Sequence, residues 1–342
     1  NFSDVSYKSF VKSESEIITL FYDKFADIPL LSRMDAVAET FIDEIETLLN
    51  RDLPEEERIP LIEKFQKMYE TMDFYVLYNR FLKKEGYQTL PRRPLEKRKL
   101  RYEDVYPVLY LKYRLSRQAE RSNIKHLVID EMQDYSRLQY LIIRRMFSCK
   151  MTILGDRAQT MADQQQDVLQ FLPGIFGKDL RRIEMRKSYR NTVEIASYAA
   201  NLIGVTDLEL FERHGMPVLE RNVTDLEAAL REAVDTLFPD EKTYETAAVI
   251  VPDEKTAERA YLILREILAE KDFDCEKRLS WLNRDSSSFK KGLTVTTFYL
   301  AKGLEFDQVF SIFPKDEKRE MMMQAQYIAA TRALHELRVY HI

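Results

Sequence analysis

His126-Leu-Val-Ile-Asp130-Glu131-Met-Gln-Asp134 carries an apolar run into two adjacent carboxylates. Ile124 to Ile129 has the character of a strand buried in a parallel sheet. A predicted helix, Ser136 to Phe147, and a second strand, Met151 to Leu154, follow at once. Alternation resumes downstream, with a strand at Ala247 to Val251, a helix at Lys255 to Glu270, and strands at Leu293 to Phe298 and Gln308 to Phe313. A helix over Gln324 to Leu334 and a strand over Leu337 to Ile342 complete the pattern. Strand–helix alternation in two blocks predicts an α/β protein with two mainly parallel sheets. In such sheets ligands sit beyond the carboxyl ends of the strands, so the loops after them are where chemistry is expected.

Residues 1–120 read differently, as helix after helix. Ser32 and Asp35 resemble a capping box ahead of the stripe Val37, Ala38, Phe41, Ile45, Leu48 and Leu49. Asp52 and Glu55 repeat the signal before Ile62, Phe65, Met68, Tyr69, Met72, Tyr75 and Val76. This predicts one long helix from near Pro54 or Pro60 to near Gly86. The Pro91–Pro94 stretch breaks the chain, and a further helix is expected from about Glu103 to Glu120. Arg92, Arg93, Lys97, Arg98, Lys99 and Arg101 form a basic cluster, read first as a solvated linker and second as a phosphate or partner contact.

Composition narrows the class. Hydrophobic residues are 45% and charged residues 32% of the 342, ordinary for a soluble mixed α/β protein. No apolar run approaches the roughly 20 residues that span a bilayer, and no signal-peptide pattern opens the chain, so a cytoplasmic location is expected. The net charge of -5 argues against coating nucleic acid by charge alone but leaves room for a basic groove. Cys149 and Cys275 lack metal-ligand spacing and read as free thiols.

The chemistry is carried by short motifs. An Asp-Glu pair beyond a strand suits an Asp that holds Mg²⁺ beside nucleotide phosphates and a Glu that polarises the attacking water. Leu154-Gly155-Asp156-Arg-Ala-Gln159 ends the second strand with a tight turn and a neutral amide that could sense a γ-phosphate. Then come Ser188-Tyr189-Arg190-Asn191, Thr297, Ala301-Lys302-Gly303-Leu304-Glu305-Phe306-Asp307 and Ala330-Thr331-Arg332-Ala333. Taken singly, each Arg is an ordinary surface residue; arginine is also the side chain that stabilises charge on a transferring phosphoryl group.

In this order the motifs resemble motifs II to VI of UvrD/Rep-like superfamily 1 helicases, over roughly residues 120 to 342. The resemblance implies RecA-like parallel-sheet domains, the first one incomplete, behind an N-terminal mainly helical region. It divides the chain into a helical region (1–120), the C-terminal part of a first RecA-like domain (121–190) and a second RecA-like domain (191–342). It implies ATP and Mg²⁺ as cofactors, with Asp130 on the metal, Glu131 as general base and Gln159 as γ-phosphate sensor. It further implies Arg190 and Arg332 as paired fingers reaching across a cleft, Tyr189 on the base, Glu305 with Gly303 at the nucleotide, and Thr297 with Tyr299 at the nucleic acid, DNA first.

Within that group the chain looks most like the HelD-type branch, whose members associate with RNA polymerase. The residues behind this are Tyr102-Glu-Asp-Val-Tyr-Pro-Val-Leu-Tyr-Leu-Lys112 and Tyr299-Leu-Ala-Lys-Gly-Leu-Glu-Phe-Asp307. Such helicases usually have a His where Tyr299 stands, and they insert a large domain between Arg190 and Thr297. Here only about a hundred residues intervene. The larger departure is the phosphate-binding loop, which requires Gly-x4-Gly-Lys-Ser/Thr. The chain has eight glycines, and its Gly177-Lys178 is followed by Asp179 and preceded by Leu172 where the first Gly should stand. The expectation is a truncation before Asn1, with the missing part of the same protein supplying the loop. A conventional repair or conjugation helicase and a non-catalytic, helicase-like interaction module are the competing readings.

Overall fold

The computed structural model describes residues 1–116, 123–156, 159, 167–185, 187–205, 209–237, 244–271, 274–284, 286, 291–315 and 320–342. Contacts divide the chain into two units: Asn1–Gly155 with Gln166–Leu180, and Asp156–Gln165 with Arg181–Ile342. No helix among the described residues is long and apolar enough to cross a membrane, and both cysteines are free thiols.

The first unit opens with an antiparallel pair, β1 (Val5–Tyr7) and β2 (Phe10–Lys12). The short helix α1 (Glu14–Thr19) is held by a reciprocal Ser13–Glu16 capping box. Helices α2 (Arg33–Leu49) and α3 (Glu55–Gln66) close a core of Ile17, Phe21, Met34, Phe41, Ile45 and Phe65. The predicted stripe on α2 is therefore a packing surface except at Leu48, which is 71% exposed. The Ser32 cap is not formed: a 3-10 turn, Leu30–Ser32, runs straight into α2, so Ser32 already has right-handed helical backbone. A capping side chain needs an extended residue there.

The long helix expected from Pro54 to Gly86 is two helices, α3 and α4 (Phe74–Lys84). The break is made by Asp73, whose Oδ1 accepts from Tyr75 N at 2.9 Å while Oδ2 pairs with Arg98 Nη1 at 2.6 Å. Apolar spacing continues across the break, which hides it from periodicity. Helix α5 (Tyr102–Leu115) packs on α4; the stretch predicted to carry it on to Glu120 lies outside the described residues. Between the two helices the buried Asp104 carboxylate accepts from Tyr78 Oη at 2.7 Å and from Arg101 Nε at 2.5 Å. The Arg101 guanidinium holds that carboxyl below its usual range. Two cations of the basic cluster, Arg98 and Arg101, are thus fold anchors, while Arg92, Arg93, Lys97 and Lys99 are exposed. Asp104→Ala should cost the first unit about 2–4 kcal/mol, because two donors lose their buried acceptor. Urea unfolding reads this out, and a loss below about 0.5 kcal/mol would make the carboxylate a bystander.

The rest of this unit comprises β3 (His126–Ile129), α6 (Arg137–Met146), β4 (Lys150–Ile153) and α7 (Val168–Phe176). Strands β3 and β4 pair in parallel and, among the described residues, only with each other. Ile129, Tyr140, Val168 and Leu172 fill one side. The expectation of a fully buried strand is corrected here: Val128 is 60% exposed, because only one face of β3 is covered. Among the described residues the first sheet has two strands.

The second unit contains β5 (Lys187–Ser188), α8 (Val193–Ile203), β6 (Glu209–Leu210), β7 (Leu219–Asn222), α9 (Leu226–Asp235), β8 (Thr246–Val251), α10 (Glu254–Ala269), α11 (Cys275–Arg278), β9 (Leu279–Trp281), β10 (Gly292–Thr297), β11 (Phe306–Phe313), α12 (Glu320–Ala330) and β12 (Ala333–His341). Strands β7-β12-β11-β8-β10-β9 form a six-stranded sheet with all neighbours parallel. Side chains alternate between faces: Val249, Val251, Phe310 and Ile312 pack against α9 and α10. Ala248, Ile250, Val309 and Phe313 pack against α8 and α12. This doubly covered parallel sheet is the α/β architecture that the alternation predicts. The helix predicted to reach Leu334 stops at Ala330, and the strand starts at Ala333, because Arg332 O takes Phe306 N at 2.9 Å and draws the backbone into the ladder.

Candidate functional site

In the first unit, Asp130 and Glu131 stand at the carboxyl end of β3, where the sheet rule expects chemistry. Asp130 Oδ1 accepts from Glu131 N at 2.8 Å. Glu131 has φ 52, a left-handed backbone that non-glycine residues rarely adopt. Its carboxylate is steadied by Gln133, a buried residue whose Nε2 donates to Oε2 at 2.6 Å. Sequence reasoning gave Gln133 no role. Two backbone bonds continue the β3–β4 pairing around the turn: Leu154 N to Ile129 O and Met132 N to Leu154 O, each 2.8 Å. Gly155 is needed for this approach, since a Cβ there would come within 2.4 Å of Met132 Cγ and 2.7 Å of Met132 N.

The remaining site residues lie in the second unit. Gln159 is buried; its Nε2 donates to Asp156 Oδ2 at 3.0 Å and its Oε1 accepts from Arg332 Nη2 at 3.4 Å. Tyr327 Oη donates to Asp156 Oδ2 at 3.1 Å. Burial, then the Asp156 charge, push the Tyr327 phenol well above its ordinary pKa, opposed by the charges of Arg332 and Arg190. Arg332 is only 1% exposed, and its guanidinium also donates to Ile328 O, Leu304 O and Thr331 Oγ1. Arg190 Nε pairs with Glu305 Oε1 at 2.6 Å. Asn191 ties the Tyr-Arg-Asn segment to the Thr-Arg-Ala segment, donating from Nδ2 to Thr331 O at 3.2 Å and Ala333 O at 2.7 Å.

Gln159, Arg190, Glu305 and Arg332 thus come together, with Tyr189 next in sequence, while Thr297 and Tyr299 do not join them. Thr297 is the buried last residue of β10, at the opposite edge of the sheet, and its Oγ1 has no hydrogen-bond partner. Tyr299 is half-buried, edge-on to Phe298. Gly303 has φ 77 and stands in open space on the loop between β10 and β11. Two of the candidates in this unit stand at amino rather than carboxyl ends of strands: Glu305 precedes β11 and Arg332 precedes β12. Parallel pairing of β11 with β12 sets the residues that lead into each strand side by side at the amino edge. Asp156, part of the Gly-Asp-x-x-Gln motif but given no role there, and Tyr327, which lies in no motif, are further participants.

The chain is similar to the solved C-terminal domain of a possible DNA helicase from Lactobacillus plantarum WCFS1, at 24% identity over 45% of this chain and 88% of that one, with a TM-score of 0.35. It is also similar to the PRRSV helicase, at 16% identity over 64% of this chain and 35% of that one, TM-score 0.36. A third likeness is to arterivirus nonstructural protein 10, a helicase solved in complex with DNA, at 13% identity over 78% of this chain and 51% of that one, TM-score 0.34. The chain therefore spans only a third to a half of those viral helicase chains. No curated protein matches it. Residues 6–161 match the family model of the UvrD/REP helicase N-terminal domain, which supports a UvrD-like superfamily 1 helicase.

Proposed function

We propose that the chain is the motor body of an ATP-driven superfamily 1 helicase or translocase, from a HelD-like factor that remodels RNA polymerase or nucleic-acid complexes, DNA first. The observation that carries the reading is the gathering of Gln159, Arg190, Glu305 and Arg332, scattered along the sequence, at one edge of one sheet. Nothing in packing demands two arginines, a glutamine and a glutamate there; a phosphate site does.

The residues fit the implied cofactors in part. No three His, Cys, Asp or Glu side chains cluster as a metal cage among the described residues. Mg²⁺ held by one or two carboxylates and substrate phosphates needs no such cage, and Asp130 at a strand end suffices. The metal would neutralise phosphate charge. Glu131, steadied by Gln133, would take the proton of the attacking water, and Gln159 would report on the γ-phosphate. Arg190 and Arg332 would face developing charge, with Glu305 and Gly303 at the ribose end and Tyr189 on the base. Thr297 and Tyr299 would serve the nucleic-acid strand. The phosphate cradle does not fit: no Gly-x4-Gly-Lys-Ser/Thr occurs in the 342 residues.

Hydrolysis is accordingly assigned to a longer protein that joins this chain to a phosphate-binding loop. Purified residues 1–342 should show no detectable ATPase, because nothing holds the reacting phosphate in line. Turnover stimulated by nucleic acid and lost on Glu131→Gln would overturn that. The branch is tested on the longer protein, which should co-purify with RNA polymerase and separate tailed duplexes poorly. Robust unwinding without polymerase would favour a conventional UvrD/Rep-like helicase.

A further inference from the structure

Tyr189 does not stand alone. Its ring is 59% exposed, and 5.5 Å away lies Phe211, 45% exposed and inclined by 37°. Lys187 Nζ lies 5.5 Å from one ring centroid and 5.8 Å from the other. Neither ring belongs to the cores on the two faces of the sheet. The pair is therefore apolar area left at the surface, beside the Arg190–Glu305 ion pair.

The segment bearing Phe211 is fixed at many points. β6 pairs in parallel with β5, which leads into Tyr189. Phe211 N donates to Ser188 O at 3.1 Å, Val193 N to Arg213 O at 2.9 Å, and Arg213 Nη2 to Leu334 O at 2.5 Å. Gly215 N and His214 Nδ1 both meet the Glu194 carboxylate at 2.9 Å. Those bonds, the His214 one foremost, hold Glu194 down at about 2. A well-anchored backbone that presents a large apolar ring to solvent is spending rigidity on something other than its own core.

We propose that Phe211 is a positioning residue of a purine platform, holding the Tyr189 ring in the orientation that stacks on the base of a bound nucleotide. Planes inclined by 37° cannot both lie flat on one base, so Phe211 acts through Tyr189. The inference rests on the nucleotide-site reading above and adds a base-selective part to it.

The test uses residues 1–342 and ligand-observed NMR titrations with ATP, CTP, inorganic tripolyphosphate and a single-stranded oligothymidylate. Phe211→Ala should weaken ATP about 2- to 10-fold, narrow the ATP-over-CTP preference and leave tripolyphosphate unchanged. Phe211→Tyr should restore both readouts. Phe211→Leu keeps the apolar volume without the plane and should behave like Phe211→Ala, which covers the case where the alanine variant folds poorly. If Tyr189→Ala weakens ATP and the Phe211 variants do not, the inference is overturned and the nucleotide-site reading stands. If Tyr189→Ala has no effect, that reading fails and takes the inference with it. If the Phe211 variants weaken only the oligonucleotide, the platform serves a strand and the proposal is wrong.

Discussion

On the proposed reading, Glu131→Gln, made in a protein that joins this chain to a phosphate-binding loop, is expected to lower kcat by about two to four orders of magnitude while nucleotide affinity stays within a few-fold. The substitution preserves shape and removes only basicity. Gln133 Nε2 donates to Glu131 Oε2, and a glutamine carbonyl oxygen can accept the same bond. The backbone argues in the same direction. A left-handed residue other than glycine costs roughly 1–3 kcal/mol and persists where something else fixes it. At Glu131 the chain bears that strain two residues beyond a strand end, beside a second carboxylate. Single-turnover hydrolysis with a separate binding titration reads the two effects apart. Near-normal turnover would remove Glu131 from the role of base.

Arg332→Ala should cost still more, about 10³- to 10⁵-fold in kcat, if the guanidinium answers charge on the transferring phosphoryl group. Its burial adds a second consequence. The side chain donates to Ile328 O, Leu304 O, Thr331 Oγ1 and Gln159 Oε1, so truncation strands several acceptors and should also lower stability by about 2–4 kcal/mol. Arg332→Lys separates the two effects. It keeps a cation but loses the planar fork, so the protein should fold and still turn over slowly. A folded Arg332→Lys protein with normal kcat would reduce Arg332 to a structural brace between Leu304 and Gln159.

What could be read in advance follows burial. Ala247-Ala-Val-Ile-Val251 and Gln308 to Phe313 announce themselves because strands covered on both faces need no polar alternation. Val128 belongs to a run of the same kind, yet its outer face is open, and composition cannot tell the two situations apart. The helix break before Phe74 was hidden because Arg98, which pairs with the capping Asp73, lies 25 residues further on. The motifs at Gln159, Arg190 and Arg332 are visible as words. Their assembly is not, since it depends on a parallel register and on bonds such as Tyr327 to Asp156, 171 residues apart. The two-residue strands β5 and β6 are too short for any periodicity, which is why Phe211 went unnoticed.

The place of β12 inside its sheet, between β7 and β11, bears on how this protein is made. A ribosome delivers Asn191 some 140 residues before the carbonyls of Thr331 and Ala333 that it binds. At about 5–20 residues per second that is a wait of roughly 7–30 seconds. From the time each is made until Ala333 follows, β11 has an open edge, Leu219–Asn222 has no neighbour, and the Arg190–Glu305 corner lacks its floor. Vectorial folding therefore cannot finish this half of the molecule early. A nascent chain stalled before Ala333 exposes a long apolar strand edge to other chains, so the yield of the protein should depend on chaperone capacity more than on the stability of the finished sheet.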